Sequence, residues 1–242
     1  WHSLIQAVST SNGPDYFYHK PRLDRKLLAG IAKPGNLIAF SGHMGSHMAD
    51  ILFKDPKMAF NAKTVDEARG LLDSAWYKFG VSLAKQYRDI FGPDNFFLEI
   101  QLIDKDMLPA QIVISECLRT IAKVATPDAH YSFSEDAIDQ RVLLCSNLNT
   151  TIGAVNAKLS NDEDVMLGGF FKSDKYHIPS QEEMAALHTQ DELDNSLLIA
   201  DMCESYDILG KPILPPFPCP DNLSQDEYLR HLCREGWTAK IA

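Results

Sequence analysis

The 242-residue sequence lacks the patterns that place a chain in a membrane or in an oxidising compartment. No apolar run reaches the roughly 18 residues that a membrane-spanning helix needs, and no secretory signal pattern begins the chain. The five cysteines are an odd number and form no CxxC pair, which argues against a disulfide framework and a zinc ribbon. We therefore predict a cytoplasmic protein with reduced, mostly packed thiols and no membrane partner.

Positive charge is also scarce. Lys and Arg total 23 against 33 Asp and Glu, so the net charge is −10 and the surface as a whole repels phosphate backbones. The motifs GxxxxGK[ST], GxGxxG, GxSxG and HExxH are absent, which removes the common nucleotide-binding, hydrolase and zinc-protease signatures. What remains is an ordinary globular composition, 45% hydrophobic and 23% charged, with enough residues for one large domain or two small ones.

Apolar runs of strand length alternate with segments of helical periodicity. The predicted strands are NLIAFSG, DNFFLEIQLI and KVAT. Between the first two, Thr64 and Glu67 form a capping pair that predicts one long helix running towards Tyr87. Strands that alternate with helices are typical of an α/β fold with parallel strands.

The second half of the chain is more helical and ends in a change of composition. The segment KPILPPFPCPDNLS contains five prolines, which indicates an extended linker. We place a domain boundary there, giving residues 1–205 and 206–242. Before the boundary we predict helices in SFSEDAIDQRVLLCSN and over Glu182–His188 and Asp191–Cys203, and a loop over 147–175. After it we predict a helix over Ser224–Glu235.

The best candidate for chemistry is the segment TPDAHY, residues 126–131, directly after a predicted strand. Side chains alternate in an extended segment, so Asp128 and His130 are expected on the same side, at the strand end where α/β barrels keep their sites. A carboxylate and an imidazole can hold a divalent ion. The alternative is that Asp128 is an ordinary turn or capping residue, because Asp after Pro is common in both.

Three other residues are considered for a site at the same end of the predicted strands. His43 follows the first predicted strand. It could complete a set of three metal ligands with Asp128 and His130, or it could be an ordinary loop residue. For His47 we favour a position on the surface of a helix. Glu99, inside an apolar strand, is either a ligand or supporting partner in a barrel mouth or a residue of an exposed edge. The remaining histidines in polar surroundings are predicted to be surface residues: His19, His177, His188 and His231.

Five blocks together resemble a known family. In the same order and at similar spacing, they are similar to the PHP domain and the beginning of the palm in bacterial DNA polymerase III alpha subunits, the C-family replicative DNA polymerases. The resemblance spans nearly the whole chain. The blocks are residues 16–53, 91–101 (FGPDNFFLEIQ), 124–131 (VATPDAHY), 176–187 (YHIPSQEEMAAL) and 214–237.

This resemblance implies a fold and a metal site. The fold would be an N-terminally truncated PHP-type distorted (β/α)7 barrel, followed by a Pro-rich linker and one helix of the next domain. Asp128 and His130 match the family's closing Asp-x-His pair of divalent-metal ligands, and His43 falls where many members have a Cys ligand. The metal would be Zn, Mn or Mg. The family's opening His-x-His and the palm's catalytic aspartates are expected outside residues 1–242, and His43 and His47 indicate a divergent or viral member.

The resemblance also implies a function. The chain is expected to be part of a DNA-directed DNA polymerase, a nucleotidyltransferase of DNA replication, and inactive by itself. Its part of the metal site would support the 3′–5′ exonuclease or phosphoesterase activity that some members have. The alternatives are a non-catalytic PHP scaffold and a stand-alone PHP phosphoesterase. Implied partners are the rest of the polymerase chain, DNA through the complete polymerase, a sliding clamp and a proofreading subunit.

Overall fold

The computed structural model describes residues 1–33, 35–43, 45–103, 108–160, 173–205, 207, 209–212 and 214–240. The chain separates into two compact units, Trp1–Cys203 and Glu204–Ala242. The boundary that the sequence suggests after residue 205 stays a prediction, because compactness alone does not define an independently folding domain.

The first unit is mixed α/β, with short strands among many helices. Its described strands are β1 (Phe17–Tyr18), β2 (Lys20–Pro21), β3 (Ala39–Phe40), β4 (Phe96–Ile100) and β5 (Ala122–Ala125). Its described α-helices are α1 (His2–Ser11), α2 (Arg25–Ala32), α3 (His47–Leu52), α4 (Pro56–Phe60), α5 (Val65–Gly70), α6 (Tyr77–Phe91), α7 (Leu108–Cys117), α8 (Ala137–Asn147), α9 (Ile152–Ser160), α10 (Gln181–Leu187) and α11 (Gln190–Met202).

The centre of this unit is a three-stranded sheet in the order β3–β4–β5, and both pairs are parallel. Each of these strands overlaps a predicted strand, and helices separate them along the chain, so the predicted α/β class with parallel strands is confirmed. β3 and β4 are shorter than predicted, because only part of each predicted strand has a hydrogen-bonded neighbour. β5 has the predicted length but begins one residue earlier. The closed (β/α)7 barrel remains an expectation from the resemblance.

The two faces of β4 have different neighbours. Phe96, Leu98 and Ile100 are buried in the main hydrophobic core, together with residues of the helices that cover this face. Side chains alternate along a strand, so Phe97 and Glu99 point to the opposite face. Phe97 is also buried, which means that both faces of the central strand are covered at this point, as is usual for a parallel sheet.

Helices α3 and α6 pack closely in the same core, and Gly80 permits the approach. A Cβ atom at Gly80 would lie 2.9 Å from Leu52 Cδ2 and 3.2 Å from Ile51 Cγ2. Leu52 is fully buried, so its side chain has little room to move. A residue without a side chain is therefore required where the two helices cross.

The predicted long helix from Thr64 towards Tyr87 is wrong. Thr64 does cap a helix, since its Oγ1 accepts a hydrogen bond from the backbone of Glu67 at 3.1 Å, but this helix, α5, ends at Gly70. Leu72 then forms an antiparallel bridge with Phe53, and α6 begins only at Tyr77. Backbone pairing with a distant segment replaces the intrahelical hydrogen bonds that continued periodicity would have supplied.

The predicted loop over 147–175 is also wrong in part, because α9 occupies Ile152–Ser160. Thr151 marks its start, with Oγ1 accepting a hydrogen bond from the backbone of Ala154 at 3.3 Å, which is the role of an N-cap residue. Residues 161–172 of the predicted loop lie outside the described part of the chain. The antiparallel pair β1–β2 and the helix α4 were not predicted at all.

The second unit contains helix α12, Gln225–Lys240. Ser224 precedes it, as predicted, and its backbone N–H donates to Glu227 Oε2 at 2.8 Å, but the helix continues five residues beyond its predicted end. The proline-rich segment before it forms no strand among its described residues. Phe217 of this segment stacks on Tyr228 of α12, with ring centroids 5.8 Å apart.

The thiols are free, as the odd and scattered cysteines predict. None of the five cysteines forms a disulfide. Cys145 is buried, and burial raises the pKa of Cys117 to about 11, so the Cys117 thiol stays protonated and unreactive near neutral pH. Cys203 and Cys233 are exposed, however, so the expectation of mostly packed thiols holds for only part of the set.

Candidate functional site

Asp128 and His130 lie together just beyond the carboxyl end of β5. His130 Nε2 and Asp128 Oδ1 are 3.2 Å apart, and the two side chains remain 36% and 41% exposed. The extended conformation after β5 therefore puts an imidazole and a carboxylate side by side and open to solvent. Both are groups that ligate divalent ions.

The backbone around this pair is held by a segment that lies about 45 residues further along the chain. His130 donates its backbone N–H to Tyr176 O at 2.7 Å, and Tyr131 forms a parallel bridge with His177. The Tyr131 hydroxyl accepts a hydrogen bond from the backbone N–H of Tyr176 at 3.2 Å, and burial raises the pKa of Tyr131. These contacts give the short TPDAHY segment a defined path.

The same segment brings a second histidine–carboxylate pair next to the first. His177 Nε2 lies 3.1 Å from Glu183 Oε1, and the His177 side chain is only 12% exposed. Glu183 caps the start of α10, and a hydrogen bond from the backbone of Ser180, together with His177, lowers the pKa of Glu183. His177 is thus part of a capping arrangement instead of the open surface position that its polar neighbours suggest.

His188 is the clearest departure from the surface prediction. Its side chain is 1% exposed, and its Nδ1 lies 3.3 Å from Glu192 Oε2. Nε2 of the same ring is buried without a hydrogen-bond partner. The polar residues that follow His188 in the sequence, Thr189 to Glu192, give no sign of this burial.

Glu99 lies near the carboxyl end of β4, next to the segment that carries Asp128 and His130. Its side chain is half-buried, and Thr126 Oγ1 donates a hydrogen bond to Glu99 Oε1 at 2.7 Å. Ser41 Oγ accepts a hydrogen bond from the backbone N–H of Glu99 at 3.0 Å. These contacts do not fit the exposed edge that the sequence left open for Glu99, because Glu99 is half-buried and bonded to the segments after β3 and β5.

His43 occupies the loop after β3, where its Nδ1 accepts a hydrogen bond from the backbone N–H of Gly45 at 2.9 Å. Throughout the described ranges, no group of three or more His, Cys, Asp or Glu side chains is placed to hold a metal ion. His43 is therefore not brought into one ligand cluster with Asp128 and His130. The residues present supply two suitable donors, whereas a catalytic zinc site normally uses three protein ligands.

Within the described residues, no helix is long and apolar enough to cross a membrane.

The first part of the chain defines a class of protein: residues 1–102 match the family model described as PHP domain. The particular relatives are bacterial DNA polymerase III alpha subunits, to which the chain is homologous over most of its length. It is 30% identical to the subunit of Treponema pallidum over 238 residues, 96% of this chain. Identity is 31% over 230 residues for Thermus aquaticus, 89% of this chain, and 33% over 199 residues for Saccharopolyspora erythraea, 78% of this chain.

These matches confirm the resemblance that the sequence blocks indicate. They also show its extent, since the chain spans only 18%, 16% and 14% of the length of these three relatives. Asp128 and His130 lie beyond the PHP match, in the part of the chain that the alignment with the Treponema pallidum subunit also covers.

Proposed function

We propose that this chain is the PHP-domain segment of a replicative DNA polymerase, together with the beginning of the next domain. The observation that carries the proposal is the extent of the alignment. Coverage of 96% leaves about ten of the 242 residues unmatched, so the similarity to a DNA polymerase III alpha subunit enters the unit Glu204–Ala242. A chain related only to PHP domains, which match residues 1–102, would not be expected to resemble a polymerase subunit in the unit Glu204–Ala242.

The competing function is a stand-alone PHP phosphoesterase, for which the proline-rich segment and α12 would be unexplained additions. The complete gene product that contains this sequence separates the two functions in a primer-extension assay with a labelled primer, a template and all four deoxynucleotides. We expect template-directed extension. A complete product that extends no primer but hydrolyses phosphate monoesters would refute the polymerase assignment.

For the metal site, we propose that Asp128 and His130 bind a divalent ion, Zn, Mn or Mg, and that His43 is a further candidate ligand of the same site. The 3.2 Å contact between Asp128 and His130 and their partial exposure support this role. Two donors do not complete a site, so the remaining ligands come from elsewhere in the polypeptide. When bound, the ion would supply Lewis-acid chemistry for phosphodiester hydrolysis, while Asp128 and His130 would hold it at the rim.

A set of three alanine variants in the complete gene product tests the metal role. Asp128→Ala and His130→Ala are expected to lower the bound metal per chain and to reduce 3′–5′ exonuclease activity on a labelled single strand, with primer extension retained. His231→Ala is the matched control, because His231 is also exposed beside a carboxylate, with Nε2 3.4 Å from Glu235 Oε1. Unchanged metal content in both test variants would remove them from the site and favour the non-catalytic scaffold.

The polymerase assignment brings partners and a location with it. We propose that the segment works in the cytoplasm as part of the longer chain and reaches DNA only through the complete polymerase. A sliding clamp and a proofreading subunit are further proposed partners. The net charge of −10 supports the indirect contact with DNA, because the segment offers little net attraction to phosphates.

A further inference from the structure

Three polar side chains meet at the carboxyl ends of the three parallel strands. Ser41 directly follows β3, Glu99 is the fourth residue of β4, and Thr126 directly follows β5. Glu99 contacts both of the others, through its backbone N–H to Ser41 Oγ at 3.0 Å and through its carboxylate to Thr126 Oγ1 at 2.7 Å. The side chain and backbone of one residue thus connect the loops that carry His43 and Asp128.

The segment from Thr126 to His130 is held at both ends. Its first residue bonds to β4 twice, because Thr126 also donates its backbone N–H to Ile100 O at 3.1 Å. Its last residue, His130, donates to Tyr176 O at 2.7 Å. Only three residues lie between these anchors, and Asp128 is the middle one. The contact between Asp128 and His130 therefore depends on where each anchor holds the backbone.

We propose that Glu99 is a positioning residue: its hydrogen bond from Thr126 sets the start of the segment and so holds Asp128 and His130 in the geometry that receives a divalent ion. The inference rests on the proposed metal role of the pair. In this arrangement Glu99 acts through Thr126, whose hydroxyl donates to its Oε1, and is not itself a ligand of the ion.

The chemistry of the anchor suits this role. A hydroxyl that donates to an ionised carboxylate makes a short, charge-assisted hydrogen bond, stronger than one between neutral groups, and the observed 2.7 Å is in that range. Glu99 is half-buried, so water competes for the carboxylate less than it would at the surface. Groups that orient metal ligands in this way commonly change metal affinity by about 10- to 100-fold when removed.

The experiment titrates the complete gene product, with its histidine rings labelled with ¹⁵N, with Mn²⁺ and follows paramagnetic broadening of the His130 ring signals by NMR. The ring ¹⁵N shifts without metal report the contact between His130 and Asp128. Thr126→Val removes the hydroxyl at nearly constant shape, and Thr126→Ser retains it. We expect Thr126→Val and Glu99→Ala each to weaken Mn²⁺ binding about tenfold and to shift the ring ¹⁵N signals, and Thr126→Ser to restore both.

Thr238→Val is the matched control, because the Thr238 hydroxyl bonds to a backbone carbonyl within α12, 3.1 Å from Arg234 O. It is expected to change neither readout. Urea unfolding of each variant confirms that the titrations are made on folded protein. If Thr126→Val does not fold, Glu99→Gln replaces it, since that change removes the charge and retains the shape.

The outcomes separate this inference from the proposed function. Wild-type Mn²⁺ affinity and ring ¹⁵N shifts in Thr126→Val would overturn the positioning role. Loss of binding in Glu99→Ala but not in Thr126→Val would make Glu99 a ligand and would also overturn it. If Asp128→Ala leaves the Mn²⁺ broadening unchanged, the metal role of the pair fails, whereas the ¹⁵N shifts of Thr126→Val still decide whether the anchor positions His130.

Discussion

The contact between α3 and α6 makes one substitution informative, Gly80→Ala. Ala is favoured over Gly inside a helix by about 1 kcal/mol, so the change would be stabilising if nothing else happened. The added Cβ would lie 2.9 Å from Leu52 Cδ2 and 3.2 Å from Ile51 Cγ2. Both distances are below ordinary van der Waals contact, and overpacking a core costs about 1 to 3 kcal/mol. We therefore expect a net loss of about 1 kcal/mol in the free energy of unfolding.

Gly30→Ala in α2 is the matched control. Gly30 is exposed, and a Cβ there would meet no atom within 4 Å, so only the helix propensity acts and the variant should gain about 1 kcal/mol. Gly80→Ala should thus lower the free energy of unfolding and Gly30→Ala should raise it, so that the two variants differ by about 2 kcal/mol. Urea unfolding of the 242-residue chain, followed by far-UV circular dichroism, measures both. Equal stabilisation by the two substitutions would refute the close packing of α3 against α6.

Three further predictions concern the same fold. Leu98→Ala removes a core side chain that is 1% exposed and should cost about 3 kcal/mol in urea unfolding; a loss below about 1 kcal/mol would mean that this face of β4 is not in the core. Asn195→Ala deletes the half-buried hydrogen bond to Lys123 O at 2.8 Å, which ties α11 to β5, and should lower the free energy of unfolding by about 1 kcal/mol; an unchanged value would contradict this contact. The pKa of Glu183 is lowered from its ordinary 4.5, chiefly by the Ser180 backbone, so its stabilising contribution is present above pH 4.5 and is lost as the pH falls through the lowered pKa. Glu183→Gln should therefore reduce the acid-induced loss of stability. If the free energy of unfolding of the variant and of the wild type had the same pH dependence, Glu183 would not be the source of that loss.

Much of the first unit could be predicted from local patterns. The apolar runs that became β3, β4 and β5 are visible in the sequence, and so is the capping residue Thr64. These features depend on alternation and on hydrogen bonds between neighbours in the chain, which a sequence displays directly. The proximity of Asp128 and His130 belongs to this class too, because two residues separated by one position share a side of an extended segment.

The failures have a common cause in contacts between distant parts of the chain. The long helix after Thr64 ends early because Leu72 pairs with Phe53. His188 is buried beside Glu192 although polar residues follow it in the sequence. Such outcomes depend on which surfaces meet, and periodicity describes one surface at a time.

The candidate site divides in the same way. The amino-acid sequence by itself determined the α/β class, the parallel strands, the resemblance to polymerase PHP domains and the adjacent carboxylate and imidazole after β5. Only the tertiary structure decided that Thr126 bonds to Glu99 and that His130 is held by Tyr176. The tertiary structure also shows that, among the described residues, His43 does not form a group of three metal ligands with Asp128 and His130. The reason is physical: alternation sets the direction of a side chain, whereas the position of a strand end depends on the neighbouring strands and loops that hold it.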